Sequence, residues 1–259
     1  LERITPHTAL VALAHVSNVL GIENPVRKIF AAAQKVDAVT VLDGAQSVPT
    51  RPVDVGDIGC DALSFSGHKM LGPTGIGALV VEESLLDSMG PYQTGGGMIR
   101  KVSVEESTYS CGIERFEAGT PNAAGAVGLA AACDYLTAIG MDQVAAYEEQ
   151  WGKAALEKIR EITDVHLIGP PEGQPVEGGI ISLRMEGLPP HDLAVMLDAR
   201  GVMCRAGHHC TMPLHDHLGG DSSLRASGYV YNNNEDIERL VDALEFAHKA
   251  LHGEISTPF

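Results

Sequence analysis

Residues Ser64 to Gly77 read SFSGHKMLGPTGIG, and this stretch closes one apolar run and opens another. Asp61 to Phe65 (DALSF) reads as a short buried strand, and Ile76 to Val81 (IGALVV) as the next. Upstream, Ala38 to Leu42 (AVTVL), ending at Asp43, and Thr8 to His15 (TALVALAH) have the same character. Between those two, Asn24-Pro25 supplies an N-cap and an N1 proline for a helix through about Val36. Near-continuous apolar runs joined by helices or long turns predict a largely parallel sheet covered on both faces.

Downstream the pattern changes. Residues 90–121 hold Gly95-Gly96-Gly97, several Ser and Thr and Pro121, and are too long for a simple connector. They read as a functional loop. Asn122 to Ile139 and Asp142 to Ile162 read as long helices. Val165 to Ile168, Gly179 to Met185 and Val202 to Arg205 read as strands, and His191 to Arg200 and Glu235 to Leu251 as helices. The expected division is residues 1–140 in one domain and a smaller α+β domain over 141–259.

Composition narrows the function classes. The 259 residues make one large domain or two modest ones at about 150 residues per domain. The formal charge of −16 repels a phosphate backbone and speaks against nucleic-acid binding. Hydrophobic residues at 44% and charged residues at 20% are ordinary globular usage. The longest mostly apolar run, Ala123 to Cys133, stops at Asp134, short of the ~20 residues a membrane span needs. Cys60, Cys111, Cys133, Cys204 and Cys210 are odd in number and form no CxxC pair. A reducing, cytoplasmic setting is the simplest reading.

Chemistry enters at Asp43 and Lys69. Ligands of open α/β sheets bind outside the carboxyl ends of strands. Asp43 ends one predicted strand and Ser66-Gly67-His68-Lys69 follows the next. An Asp and a Lys at one strand-end crevice match the needs of pyridoxal 5'-phosphate. The lysine forms a Schiff base, and the Asp pairs the pyridinium nitrogen so that the ring acts as an electron sink. Taken alone, Asp43 also reads as a turn cap and Lys69 as a solvated side chain.

Six segments favour the chemical reading: HVSNVLG (residues 15–21), DGAQS (43–47), SFSGHKMLGPTGIG (64–77), RFEAGTPN (115–122), RAGHHC (205–210) and RASGYVYN (225–232). Together they resemble class V aminotransferase-like enzymes, and more narrowly the cysteine desulfurases. The short RAGHHC form is similar to the SufS-like, or group II, branch, which also includes selenocysteine lyases. The resemblance implies the α/β fold of type I pyridoxal phosphate-dependent transferases. Residues 1–140 become the C-terminal part of the large cofactor-binding domain, with a mainly parallel sheet, and 141–259 the small C-terminal domain.

The same resemblance assigns roles. Lys69 is the lysine that bonds the cofactor, Asp43 pairs its pyridine nitrogen, and Gln46 donates to its phenolic oxygen. Asn18 faces cofactor and substrate. Ser66 and His68 hold the phosphate, as hydroxyl and imidazole donors suit an anion. Thr120 reaches the phosphate of the other subunit in a homodimer, although Thr120-Pro121 is also a good helix start. Cys210 is the nucleophile that takes sulfur from L-cysteine as a persulfide and leaves L-alanine. His208 and His209 lower its pKa or take its proton. Arg225 clamps the substrate carboxylate, since a guanidinium fork matches it bidentately. Arg205 serves the loop's conformation or the substrate. A sulfur acceptor of the SufE or SufU type and iron–sulfur cluster assembly follow from the same likeness.

Alternatives stand beside this reading. Selenocysteine lyase, or another class V enzyme, keeps the fold and changes the chemistry. His208, His209, Cys210, His215 and His217 are a rival zinc constellation, but their spacing matches no standard finger. His215 and His217 are expected at the surface. Gly95-Gly96-Gly97 lacks the strand, Lys and helix of a phosphate loop.

One departure concerns the front of the chain. In the family a substantial portion precedes HVSN and supplies sheet, a phosphate-cradling helix start and a ring-stacking histidine. Here Leu1 is almost at the first strand, without an initiating Met or leader, and His7 is too close to HVSN to be that histidine. The expectation is a fragment with uncovered sheet surface that binds the cofactor weakly or not at all, a non-catalytic third reading.

Overall fold

The structure is a computed structural model and describes residues 1–255. The chain forms two compact units. The first takes residues 1–14, 25–48 and 53–138, and the second 15–24, 49–52 and 139–259. The main division falls at 138/139, and two short segments of the N-terminal half belong to the second unit.

The first unit contains β1 (Leu10–Ala14), α1 (Val26–Gln34), β2 (Val39–Asp43), α2 (Val55–Ile58), β3 (Ala62–Ser66), β4 (Gly77–Val81), α3 (Glu83–Ser88), β5 (Ile99–Val102), β6 (Ser107–Tyr109) and α4 (Ala123–Ile139, whose last residue falls in the second unit). Its main sheet has the order β1-β2-β3-β4. Strands β1, β2 and β3 are parallel, and β4 is antiparallel to β3. The sheet is thus mainly parallel, as expected. The last strand reverses because only residues 67–76 separate it from β3, too few for a helical crossover.

Helix α1 buries Val26, Phe30 and Ala33, an i, i+4, i+7 stripe. Val26 and Phe30 pack with Leu42, Ile58, Cys60 and Leu63. Pro25 is the N-cap rather than N1, because Asn24 gives its backbone N–H to the His15 carbonyl (2.8 Å) and no side chain caps the helix. At its edge strands the sheet departs from the expected two-sided cover. Leu10, Leu79 and Val80 are 55%, 55% and 44% exposed, so the sheet is not covered on both faces among the described residues.

A side-chain staple fixes the register of β2 on β3. Asp61 Oδ2 accepts the Thr40 N–H and the Thr40 hydroxyl, both at 2.7 Å, and the Asp61 N–H donates to Thr40 Oγ1 at 3.0 Å. Thr40 is fully buried there.

The second unit contains α5 (Met141–Ile159), β7 (Val165–Gly169), β8 (Ile180–Met185), α6 (Pro190–Asp198), β9 (Arg205–Gly207), α7 (Met212–His217), β10 (Ser223–Ser227) and α8 (Asn234–Leu251). Its sheet runs β7-β8-β10-β9, antiparallel throughout. Leu156, Ile159, Ile181, Leu183, Leu193, Leu197, Leu224 and Leu244 form its core. Segment 15–24 docks on β8 through Ser182 Oγ, which donates to the Val19 carbonyl at 2.7 Å. Gly21, at φ +57°, is required by this contact, since a Cβ there lies 2.4 Å from the Ile180 oxygen. No single helix among the described residues is long and apolar enough to cross a membrane.

Candidate active site

In the first unit, the parallel pairing of β2 and β3 sets Asp43 opposite Ser64, so both strands end at one edge. Asp43 is exposed, and its Oδ1 accepts the Ala45 N–H (2.9 Å), which starts the turn carrying Gln46. Gly44 continues the ladder by donating to the Ser64 carbonyl (2.8 Å). A Cβ on Gly44 lies 2.6 Å from Leu63 Cδ1, so this close approach needs glycine.

Strand β3 ends at Ser66, and Gly67–Lys69 coil as one turn of 3₁₀ helix. Gly67 donates to the Ile76 carbonyl (2.9 Å) and accepts from the N–H groups of Met70 (3.0 Å) and Gly72 (2.9 Å). The lysine loop is therefore pinned through the residue that begins it. His68 is exposed and Lys69 half-buried. The topology brings Asp43, Gln46, Ser66, His68 and Lys69 to the carboxyl ends of two adjacent strands.

Thr120 lies exposed on the loop before α4. It does not start the helix: Asn122 Oδ1 accepts the Gly125 N–H (2.9 Å) and provides the cap. Arg115, which the sequence reading passed over, ties this loop by donating to the carbonyls of Ser110 (3.0 Å), Met89 (2.8 Å) and Asp87 (3.2 Å). Its only sequence signal is its place in the RFEAGTPN segment.

The second unit holds the cysteine loop. Strand β9 ends at Gly207, whose φ of +130° suits glycine alone; His209 (+50°) and Cys210 (+63°) follow in the left-handed region. Two successive non-glycine residues in this conformation cost free energy and persist only where the surroundings hold them. Here the Cys210 N–H donates to His208 Nδ1 (3.1 Å), and the Thr211 N–H donates to the His208 carbonyl (2.8 Å). Asn18 Nδ2 donates to the His209 carbonyl (2.8 Å). Cys210 is exposed.

The two histidines before Cys210 do different things. His208 accepts at Nδ1, so its neutral ring carries the proton on Nε2. His209 is 4% exposed and bonds the Ser223 carbonyl through Nε2 (3.1 Å). Burial, together with the Arg225 charge, pushes its pKa down to about 4. His209 is therefore neutral near pH 7 and brings no positive charge to the thiol. Arg225 is the positive charge in electrostatic contact with Cys210.

Arg225 and Arg205 face each other across β10 and β9. Arg225 donates through Nη1 to the Asn18 carbonyl (2.9 Å), and its Nε is buried with no hydrogen-bond partner. Burial and the Arg205 charge lower its pKa. An unpartnered guanidinium N–H facing a second guanidinium is a receptor for an anion.

His215 corrects an expectation. It is fully buried, not at the surface; its Nε2 meets Ser223 Oγ (3.0 Å) and its Nδ1 the Thr211 carbonyl (3.1 Å). Both nitrogens are committed. Among the described residues, 208–217 gather no metal-ligand cluster. His217 is exposed, as expected.

Known proteins are similar to this chain in sequence and fold. The cysteine desulfurase of Haloferax volcanii is 49% identical over 248 residues, 96% of this chain and 58% of that one. The cysteine desulfurase of Pectobacterium carotovorum is 45% identical over 245 residues, 94% of this chain and 59% of that one. The crystal structure of the Escherichia coli cysteine desulfurase CsdA superposes with a TM-score of 0.90 at 32% identity, covering 96% of this chain and 61% of that one. The apo cysteine desulfurase of Thermococcus onnurineus gives 0.87 at 40% identity, covering 93% and 60%. The chain thus spans about three fifths of the length of these relatives, and it shares their α/β fold. The family model described as aminotransferase class-V matches residues 1–240. The strand-end lysine and the cysteine loop lie within that match, and the chain belongs to the aminotransferase class-V family.

Proposed function

We propose that the chain carries the machinery of a cysteine desulfurase of the SufS-like branch, which takes sulfur from L-cysteine and leaves L-alanine. The observation that carries this reading is the Cys210 loop. An exposed thiol is held in a left-handed backbone beside a half-buried arginine whose Nε has no partner.

Pyridoxal phosphate fits the donor set at the edge of β2 and β3. Lys69 would hold it, Asp43 would meet its ring nitrogen, Gln46 its phenolic oxygen, and Ser66 and His68 its phosphate. When bound, the cofactor supplies an electron sink that makes the Cα–H of an amino acid acidic. Arg225 takes the substrate carboxylate, with Arg205 as the second positive charge. The Cys210 thiolate attacks the substrate sulfur. An S–S bond forms as the Cβ–S bond breaks, and the electron pair stays with carbon, which takes a proton and becomes alanine. His208 and Asn18 hold the loop in its left-handed backbone.

A persulfide on Cys210 must be handed on, which calls for an acceptor of the SufE or SufU type and places the sulfur in iron–sulfur cluster assembly. A homodimer gives Thr120 the cofactor phosphate of the partner subunit. Five free cysteines support a reducing, cytoplasmic setting.

Treatment of the chain with pyridoxal phosphate and borohydride, followed by peptide mass analysis, is expected to find the reduced adduct on Lys69. Absence of that adduct overturns the cofactor assignment. Incubation with cysteine is expected to release alanine and load Cys210, and Cys210→Ala is expected to stop both. Undiminished release from Cys210→Ala overturns the nucleophile and favours selenocysteine lyase chemistry, which a parallel selenocysteine assay reads directly.

A further inference from the structure

A separate group of side chains gathers at the far end of α8. Asp164 lies in the turn between α5 and β7, at φ +64°, with its carbonyl accepting the Glu186 N–H at 2.8 Å. His248 and His252 are four residues apart at the C-terminal end of α8, so their rings share one face. Asp164 Oδ2 is 2.8 Å from His252 Nε2 and 3.2 Å from His248 Nδ1, and the ring centroids are 4.6 Å apart. One ligand atom from each of the three lies within 4.8 Å of the others.

Two features separate this group from ordinary surface ion pairs. One carboxylate oxygen faces two imidazole nitrogens at once. His248 Nδ1 is buried and has no hydrogen-bond partner, although Oδ2 is only 3.2 Å away. The two atoms are close but not aligned to share a proton, as ligands on either side of a cation are. Bonds of about 2.0–2.1 Å in a tetrahedral zinc site separate ligand atoms by about 3.3 Å. The two carboxylate–imidazole spacings need to open by half an ångström or less, and the two imidazole nitrogens lie within 4.8 Å of each other. Two histidines at i, i+4 with one carboxylate are donors suited to a borderline divalent ion.

We propose that Asp164, His248 and His252 bind a divalent transition-metal ion, Zn²⁺ first among them, with the fourth position taken by water. The ion takes the place of the Nε2 proton that His252 now donates to Asp164, and the neutral ring coordinates through Nε2 with its proton on Nδ1. The site is independent of the desulfurase reading, and its occupancy ties the last turn of α8 to the turn before β7.

The test uses the full chain in a Cys210→Ser background, freed of metal with a chelator and titrated with Zn²⁺ by calorimetry and with Co²⁺ by visible absorption. One equivalent of Zn²⁺ is expected, weakened about tenfold or more by His252→Ala and by Asp164→Asn. The Co²⁺ complex is expected to show tetrahedral bands without a thiolate charge-transfer band. Unchanged stoichiometry and affinity in His248→Ala/His252→Ala overturns the site, as does a thiolate band or no binding. His252 is half exposed, so its replacement leaves the fold intact, and circular dichroism confirms it.

Discussion

Arg225 and Arg205 stand opposite each other on adjacent antiparallel strands, an arrangement that is unfavourable until an anion joins it. Hydrogen bonds to charged groups are worth about 1.5–3 kcal/mol. Arg225→Lys keeps the charge and loses the planar fork, so kcat/KM for cysteine is expected to fall about 10- to 100-fold by alanine release. Glu148 on α5 makes the second residue-level case. It is 3% exposed, both carboxyl oxygens lack hydrogen-bond partners, and burial pushes its pKa up to about 8 against the opposing pull of Arg51. Its contribution to stability is fully present below its ordinary 4.5 and is lost as pH rises towards 8, a loss on the order of a few kcal/mol. Glu148→Gln is therefore expected to melt several degrees higher than the parent at pH 8 and close to it at pH 5. His209 works in the other direction. Its depressed pKa gives stability above 6.5 that is lost as pH falls through 4, so the cysteine loop is the acid-sensitive feature.

At the scale of elements, the Thr40–Asp61 staple governs where Asp43 and Ser66 end up. Asp61→Ala strands the buried Thr40 hydroxyl and amide, and an unsatisfied buried donor costs about 1–3 kcal/mol. A matching fall in the urea midpoint is expected, together with reduced trapping of cofactor on Lys69. Elements were legible where burial writes itself into composition. Strands β1 to β3 and β8 are apolar runs, and α8 has both a cap and a stripe; each begins and ends within two residues of its expected bounds. Strand β10 (SLRAS) was missed because its polar residues are used inward: Ser223 is fully buried under His215, and the half-buried Arg225 reaches the Asn18 carbonyl. Strand β9 begins at Arg205 rather than ending there, because its pairing is set by β10. The β5–β6 hairpin has almost no buried side chain, so no periodicity announces it. The same logic applies to the site. Lys69, Asp43 and Cys210 were named by motif, whereas the inward turn of His209 and the burial of His215 depend on partners in β10.

On the scale of the molecule, the two units differ in how deeply they are covered. Strand β8 is almost entirely buried, while β4, β5 and α3 are largely exposed. Backbone amides of residues 180–185 are expected to exchange slowest with deuterium, and those of 99–109 among the fastest among the strands, a ranking that hydrogen-exchange mass spectrometry reads directly. Slow exchange across 99–109 overturns this ordering. The threading of residues 15–24 into the second unit has its own consequence for how the protein is made. Val19 waits for Ser182, Gly21 for Glu177, and Asn18 for His209 and Arg225. During synthesis the segment leaves the ribosome roughly 160 to 210 residues ahead of the groups that receive it, at about 5–20 residues per second. For some ten seconds or more it has no place to dock, so the second unit closes only once residue 225 has emerged, and the Cys210 loop gains its Asn18 contact only then.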